Sequence, residues 1–202
     1  MKKLLLLSAL LIFACSSDDT PLKVSTIGDS RFSWSYGDDL RMHMNSKGDF
    51  EFIGSLIDNN GFHHDSKGGD NSQGLLDRLH LIPTTADVYV IMFGTNDSWR
   101  PSTQIPFVTL KHVINTLLKY GDILYLKQSP RADAREAFCI ELDSMIVNEF
   151  KVIKGFDYMD VRSKFMVDDS LNTDLLIDHV HPSENGIKTI AEIVAKKLLH
   201  KL

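Results

Sequence analysis

Residues 88–93 read Val-Tyr-Val-Ile-Met-Phe, six apolar residues in a row between Asp87 and Gly94. The run has strand length, is rich in β-branched and aromatic residues, and shows no polar alternation. A strand of that kind has to be covered on both faces, which places it in the middle of a sheet with helices above and below. The rest of the chain alternates to match. Short strands are predicted over 22–27, 50–53, 123–126 and 156–161. Helical spacing runs over 38–46, from Ser72 through Leu79, over 103–120, over 132–152, and from Ser183 to Leu198. Ser72 and Ser183 are the predicted N-caps of their helices. Residues 59–69 and 167–178 read as loops, the second of them acidic. The predicted fold class is α/β: a three-layer sandwich around a central parallel sheet of about five strands, in flavodoxin-like order.

A chain of 202 residues, 43% hydrophobic and 24% charged, supports one sizeable core. Its formal net charge of −5 gives no support for nucleic-acid binding, which calls for a basic face. The first residues stand apart. Lys2 and Lys3 precede an apolar run over 4–13, the pattern of a secretory signal and too short to favour a spanning helix. The junction Ile12-Phe13-Ala14-Cys15, followed by Ser16-Ser17-Asp18-Asp19, resembles a bacterial lipoprotein signal. That resemblance implies a signal over 1–14, lipidation of Cys15, a tether over 15–21 and a folded domain over 22–202. It also implies a place in the bacterial cell envelope, with membrane contact only through the N-terminal lipid anchor; a cleaved secretory peptide is the alternative. With Cys15 so used, Cys139 has no partner for a disulfide and is read as core filler.

Four stretches carry chemistry. Gly28-Asp29-Ser30 ends the first predicted strand, and open α/β sheets bind ligands at the carboxyl ends of their strands. Ser30 is therefore placed where a nucleophile would be presented, although all three residues are also common in turns. Gly94-Thr95-Asn96-Asp97 ends the central strand, and the neutral Asn96 can aim a side-chain N–H at a developing negative charge. Asp178 precedes His181 by three residues, a spacing that lets the carboxylate hold the imidazole in one tautomer. Gly68-Gly69 lies at the entrance to a helix, where a backbone N–H can serve as an anion donor. Each stretch alone also fits an ordinary turn or loop.

Together and in this order, the four resemble the SGNH (GDSL) hydrolases, and they span nearly all of residues 22–202. The resemblance implies a parallel-sheet sandwich and ester hydrolysis with no metal or other cofactor. It implies Ser30 as nucleophile, His181 as base and Asp178 as its orienter, with the oxyanion hole formed by the Ser30 and Gly69 backbone N–H groups and the Asn96 side chain. The stretch from Phe50 to Ser55, with His64-Asp65-Ser66-Lys67-Gly68-Gly69, is similar to the secreted carbohydrate acetyl esterases, so the expected substrate is an acylated small molecule or polysaccharide. Lys67 and Asp70 depart from the histidine and aromatic residue usual there. Arg31 and Trp99 are the expected substrate-binding residues, and Trp34 is a second aromatic placed to line a cleft. His63, His64 and Asp65 lack a fourth ligand at metal-site spacing. Asp168, Asp169, Asn172 and Asp174 lack the glycine and glutamate of a calcium loop. A lipid-type esterase or thioesterase on the same fold, and a glycan-binding lipoprotein without catalysis, are the competing readings.

Overall fold

A computed structural model describes residues 20–200. The expected signal at 1–14, the lipidated Cys15 and nearly all of the tether lie outside the described residues. Five strands form the main sheet: β1 (Leu22–Gly28), β2 (Phe50–Phe52), β5 (Val88–Met92), β6 (Asp122–Lys127) and β7 (Phe156–Asp160). Every pairing is parallel and the order is β2-β1-β5-β6-β7, so the apolar run is the central strand of a flavodoxin-like sheet. Two small hairpins lie outside this sheet. One joins β3 (Leu56–Ile57) to β4 (His63–His64), and the other joins β8 (Met166–Val167) to β9 (Ser170–Leu171). β4 and β9 fall in stretches expected to be loops and β3 in a stretch given no element, because a two-residue strand carries too little periodicity to be read.

Strand alternation divides the core between the two faces of the sheet. Val88, Val90 and Met92 pack with Leu40, Met44, Ile187, Ile190 and Val194 on α1 (Asp39–Asn45) and α5 (Glu184–Leu199). Tyr89, Ile91 and Phe93 turn to the other face. There they meet Leu75 of α2 (Ser72–Asp77), Val113 and Ile114 of α3 (Gln104–Leu117), and Leu142 and Ile146 of α4 (Glu136–Phe150). Full burial of such a side chain is worth about 1.5–3 kcal/mol, so both helical layers are held by apolar packing. Cys139 is a free, buried thiol, as expected. Among the described residues no helix is long and apolar enough to cross a membrane.

Two helix starts differ from expectation, and both differences bear on the site. Asn71 rather than Ser72 caps α2, its side chain accepting from Gly74 N. Ser72 is drawn off to Asp97. The long helix begins at Glu136, not near Ala132, because the preceding residues are committed elsewhere. Arg131 is bonded to both carboxylate oxygens of Asp133, at 3.0 and 2.7 Å, and Ala132 N donates to His179 O at 2.8 Å. Those bonds trade helical ones for a brace against the histidine loop.

Candidate active site

The carboxyl edge of the sheet gathers the expected residues. Ser30 opens a short 3-10 turn at the end of β1, and its Oγ lies 2.9 Å from His181 Nε2. His181 Nδ1 lies 2.8 Å from Asp178 Oδ2. A carboxylate accepts only, so the proton sits on Nδ1 and Nε2 is left as the acceptor for the Ser30 hydroxyl. Asp178 Oδ1 also takes the backbone N–H groups of Val180 (2.6 Å) and His181 (2.7 Å). Partial burial pushes the Asp178 carboxyl up, but the bonds from His181 and Val180 outweigh it and hold the group below the usual carboxylate range. Asp178 therefore stays ionised in mild acid. The loop that carries it is fixed at both sides, by Ile177 N donating to His181 O at 2.9 Å and by the brace from Ala132.

Gly94 ends β5 at φ +116°, and a Cβ there would meet Leu142 Cδ2 at 2.6 Å. Glycine takes that φ without strain, whereas any side chain would also have to push the Leu142 side chain aside. The turn delivers Asn96, whose Nδ2 donates to Asp70 O at 2.8 Å. Asn96 is thus tied to the residue after Gly69, and its amide has a second N–H. Gly69 itself adopts φ +74° with open space where a Cβ would stand. The glycine loop is anchored to the nucleophile strand by Lys67 N donating to Gly28 O at 3.0 Å. Ser30, His181, Asp178, Gly69 and Asn96 therefore share one rim.

Asp97, to which no role was assigned from the sequence, holds this rim together. Its buried carboxylate accepts from Ser72 N (2.8 Å) and Ser72 Oγ (2.7 Å), and Arg100 Nε stands 3.3 Å away. These bonds lock the Asn96 turn to the start of α2 and so to the Gly69 loop. Burial raises the Asp97 carboxyl, and the Ser72 and Arg100 contacts oppose the rise. The available signal was an acid directly after a strand end, beside a helix start in need of an acceptor.

Arg31 does not reach the cleft, contrary to expectation. It is 1% exposed, with its backbone N bonded to Asp29 Oδ1 at 3.0 Å and its Nη1 3.4 Å from Gln128 Oε1. Burial pulls its guanidinium down, and the neighbouring Asp29 charge pulls it back up. Asp29 is fully buried and raised by the same desolvation. The two buried groups flank the nucleophile in sequence, and Arg31 continues through Gln128 to Asp143. Burial pushes the Asp143 carboxyl up to about 6, against bonds from Tyr125 Oη (2.7 Å) and Gln128 N (2.9 Å). The folded chain thus holds a proton here that the unfolded chain releases near pH 4. The stability this contributes is present below the unfolded value and lost as pH rises through about 6. We expect wild type to lose about 3 kcal/mol relative to Asp143→Asn between those two values, read from urea melts at successive pH.

Of the two tryptophans, Trp34 meets the site directly, with its ring centroid 4.4 Å from that of His181 and half of its surface exposed. Trp99 is 73% exposed and is backed by Arg135, whose guanidinium lies 3.1 Å over the ring. His64 accepts from Ser66 N, and Asp65 is taken up by Ser25 and Ser55.

Comparison with known proteins agrees with this geometry. The sequence model of the GDSL-like lipase/acylhydrolase family matches residues 26–188. Among solved structures, a carbohydrate esterase family 3 protein from Talaromyces cellulolyticus is similar at a TM-score of 0.71 and 19% identity, covering 89% of this chain and 97% of that one. A family 3 carbohydrate esterase from Clostridium thermocellum is similar at 0.69 and 20%, covering 88% and 94%. A GDSL-like lipase from Bacteroides thetaiotaomicron is similar at 0.72 and 15%, covering 89% of each chain. No curated protein gives a significant match. With a family match over most of its length, and a serine, histidine and aspartate in bonding contact at the sheet edge, the chain belongs to the GDSL-like lipase/acylhydrolase family and is a carboxylic ester hydrolase.

Proposed function

We propose that this esterase removes small acyl groups, acetyl above all, from carbohydrate, through Ser30, His181 and Asp178. The observation that carries the mechanism is the continuous chain from Ser30 Oγ to His181 Nε2 at 2.9 Å and from His181 Nδ1 to Asp178 Oδ2 at 2.8 Å. A serine hydroxyl is a weak nucleophile near neutral pH and needs an adjacent base. As Ser30 Oγ bonds to the ester carbonyl carbon, its proton passes to His181, and Asp178 stabilises the imidazolium. The Ser30 and Gly69 N–H groups and Asn96 Nδ2 hold the tetrahedral oxyanion. The proton then goes from His181 to the leaving alcohol. Water, deprotonated by the same imidazole, hydrolyses the acyl-serine and restores the enzyme.

What favours a sugar is the character of the rim. Half-exposed Trp34 stands beside the base, and exposed Trp99 is held flat by Arg135. Aromatic faces of this kind suit the C–H face of a pyranose. Across nitrophenyl esters from acetate to octanoate, kcat/KM is expected to be highest at acetate and at least ~10-fold lower at octanoate, since burying added methylenes gains about 0.8 kcal/mol each only where an apolar wall receives them. A maximum at octanoate favours the lipid-type reading instead. The companion proposal, a lipid on Cys15 anchoring the enzyme to the cell envelope, predicts that Cys15→Ala moves it from the membrane to the soluble fraction.

A further inference from the structure

Between the turn after Ser30 and the β3–β4 hairpin lies a hollow of about 290 Å³. Its lining includes Ser33, Asp38, Ile57, Asn59, Ser66 and Lys67. It adjoins the reacting centre on two sides. Ser33 belongs to the nucleophile turn, with its Oγ on Asp29 O at 3.0 Å. Gly68 belongs to the glycine loop, and a Cβ added there would stand 3.9 Å from Ser33 Oγ.

We propose that this hollow is the subsite for the sugar ring that bears the ester, taking the alcohol side of the substrate. The inference rests on the carbohydrate-esterase reading above and names where that substrate is recognised. One wall is apolar, made by Leu56 and Ile57, which are 39% and 63% exposed. The opposite side offers the Ser33 hydroxyl, the Asp38 carboxylate, the Asn59 amide and the Lys67 ammonium. A pyranose has the same division, a C–H face and a rim of hydroxyls. An acyl chain does not. Asn59 Nδ2 already donates to Asp38 Oδ2 at 2.6 Å and Ser33 Oγ to Asp29 O at 3.0 Å. The free lone pairs of Ser33 and Asp38 and the Lys67 ammonium remain for sugar hydroxyls. An acyl chain would displace their water and offer no bond in return. The volume sits at the low end for small-molecule pockets, ~300 Å³, which suits one ring with the rest of a glycan running out along the rim.

The floor is built before any ligand arrives. Arg41 is fully buried beneath it and reaches four elements. Its Nε bonds Asp58 Oδ2 at 2.5 Å, its Nη1 bonds Thr26 Oγ1 at 3.1 Å, and its Nη2 bonds Phe32 O at 3.1 Å and the Asp38 main chain at 3.5 Å. Asp58 Oδ1 in turn takes Asn60 N and Phe62 N, both at 2.9 Å, which closes the hairpin loop. One cation thus pins the hairpin to β1 and to the nucleophile turn. A wall held this way lowers the ordering cost of binding.

The test compares xylose tetra-acetate with 4-nitrophenyl acetate, which has no sugar, on the full chain. Wild type is expected to prefer the sugar ester. Ile57→Asn and Asn59→Ala, both at exposed positions of the hairpin, are expected to lower the ratio of kcat/KM for the two substrates about tenfold, through KM. A ratio unchanged in both variants overturns the subsite while leaving the esterase reading intact. A wild type that cleaves neither ester overturns the esterase reading and this inference with it. A binding measurement removes the dependence on turnover. In saturation-transfer NMR, methyl β-xyloside is expected to receive signal from the Ser30→Ala protein and to lose most of it when Ile57→Asn is added. Equal transfer from both proteins also overturns the subsite.

Discussion

Ser30→Ala is expected to lower kcat for acetyl ester hydrolysis by at least ~10⁴-fold with the fold intact, since removing one member of a serine triad costs about that much or more. The hydroxyl that bonds to the carbonyl carbon is gone, and no other described side chain is placed 2.9 Å from His181 Nε2. Ser30 is only partly buried and its Oγ makes no bond into the core, so stability should change little. His181→Ala should cost about as much, and the double variant little more than either single one. Base and nucleophile act as one unit, so their losses do not add. Burst kinetics and circular dichroism on the three variants check both halves of the expectation. Additive losses would mean that Ser30 and His181 act in separate steps.

Asn96→Ala is expected to lower kcat by about 10²–10³-fold with a smaller change in KM, the range for loss of one oxyanion donor. The expectation has a structural component as well. Asn96 Nδ2 holds Asp70 O at 2.8 Å, so the substitution also loosens the loop that carries Gly69. Asp97 limits the damage, because its two bonds from Ser72 keep the start of α2 against the Asn96 turn. Asn96→Asp separates the two contributions. It keeps the size of the side chain but replaces the N–H donors with an acceptor that carries charge at neutral pH, and it should be at least as slow as alanine. A variant with near-normal kcat would remove Asn96 from the oxyanion hole.

Much of this site was legible in the sequence for one reason. Ser30, Asn96 and the loop of Asp178 and His181 each lie next to a strand end or helix start with a strong local signature. Residues 88–93 could only be a strand covered on both faces, and once that strand is central the carboxyl edge follows. What was missed depends on partners far away in the chain. Arg31 was expected to bind substrate, but it turns inside, where Asp29 beside it and Gln128 and Asp143, about a hundred residues on, offset the cost of burying its charge. Arg41 shows no special pattern, yet it supports the hollow through Asp58 and Thr26. The start of α4 was misplaced because Ala132 favours a helix locally, while its N–H is taken by His179 O. Trp34 was readable as a cleft aromatic, but nothing local to it specified contact with His181, which is set by the loop that leads into α5.

The proposed mechanism requires that Ser30 Oγ be the atom that takes the acyl group. Treatment with a fluorophosphonate probe, followed by digestion and mass spectrometry, reads that atom directly. The expected result is one adduct per chain, on Ser30, formed quickly by wild type and ~10³-fold or more slowly by His181→Ala, as for loss of a triad base. Adduct on any other residue, or labelling of Ser30 that proceeds equally fast without His181, would contradict it.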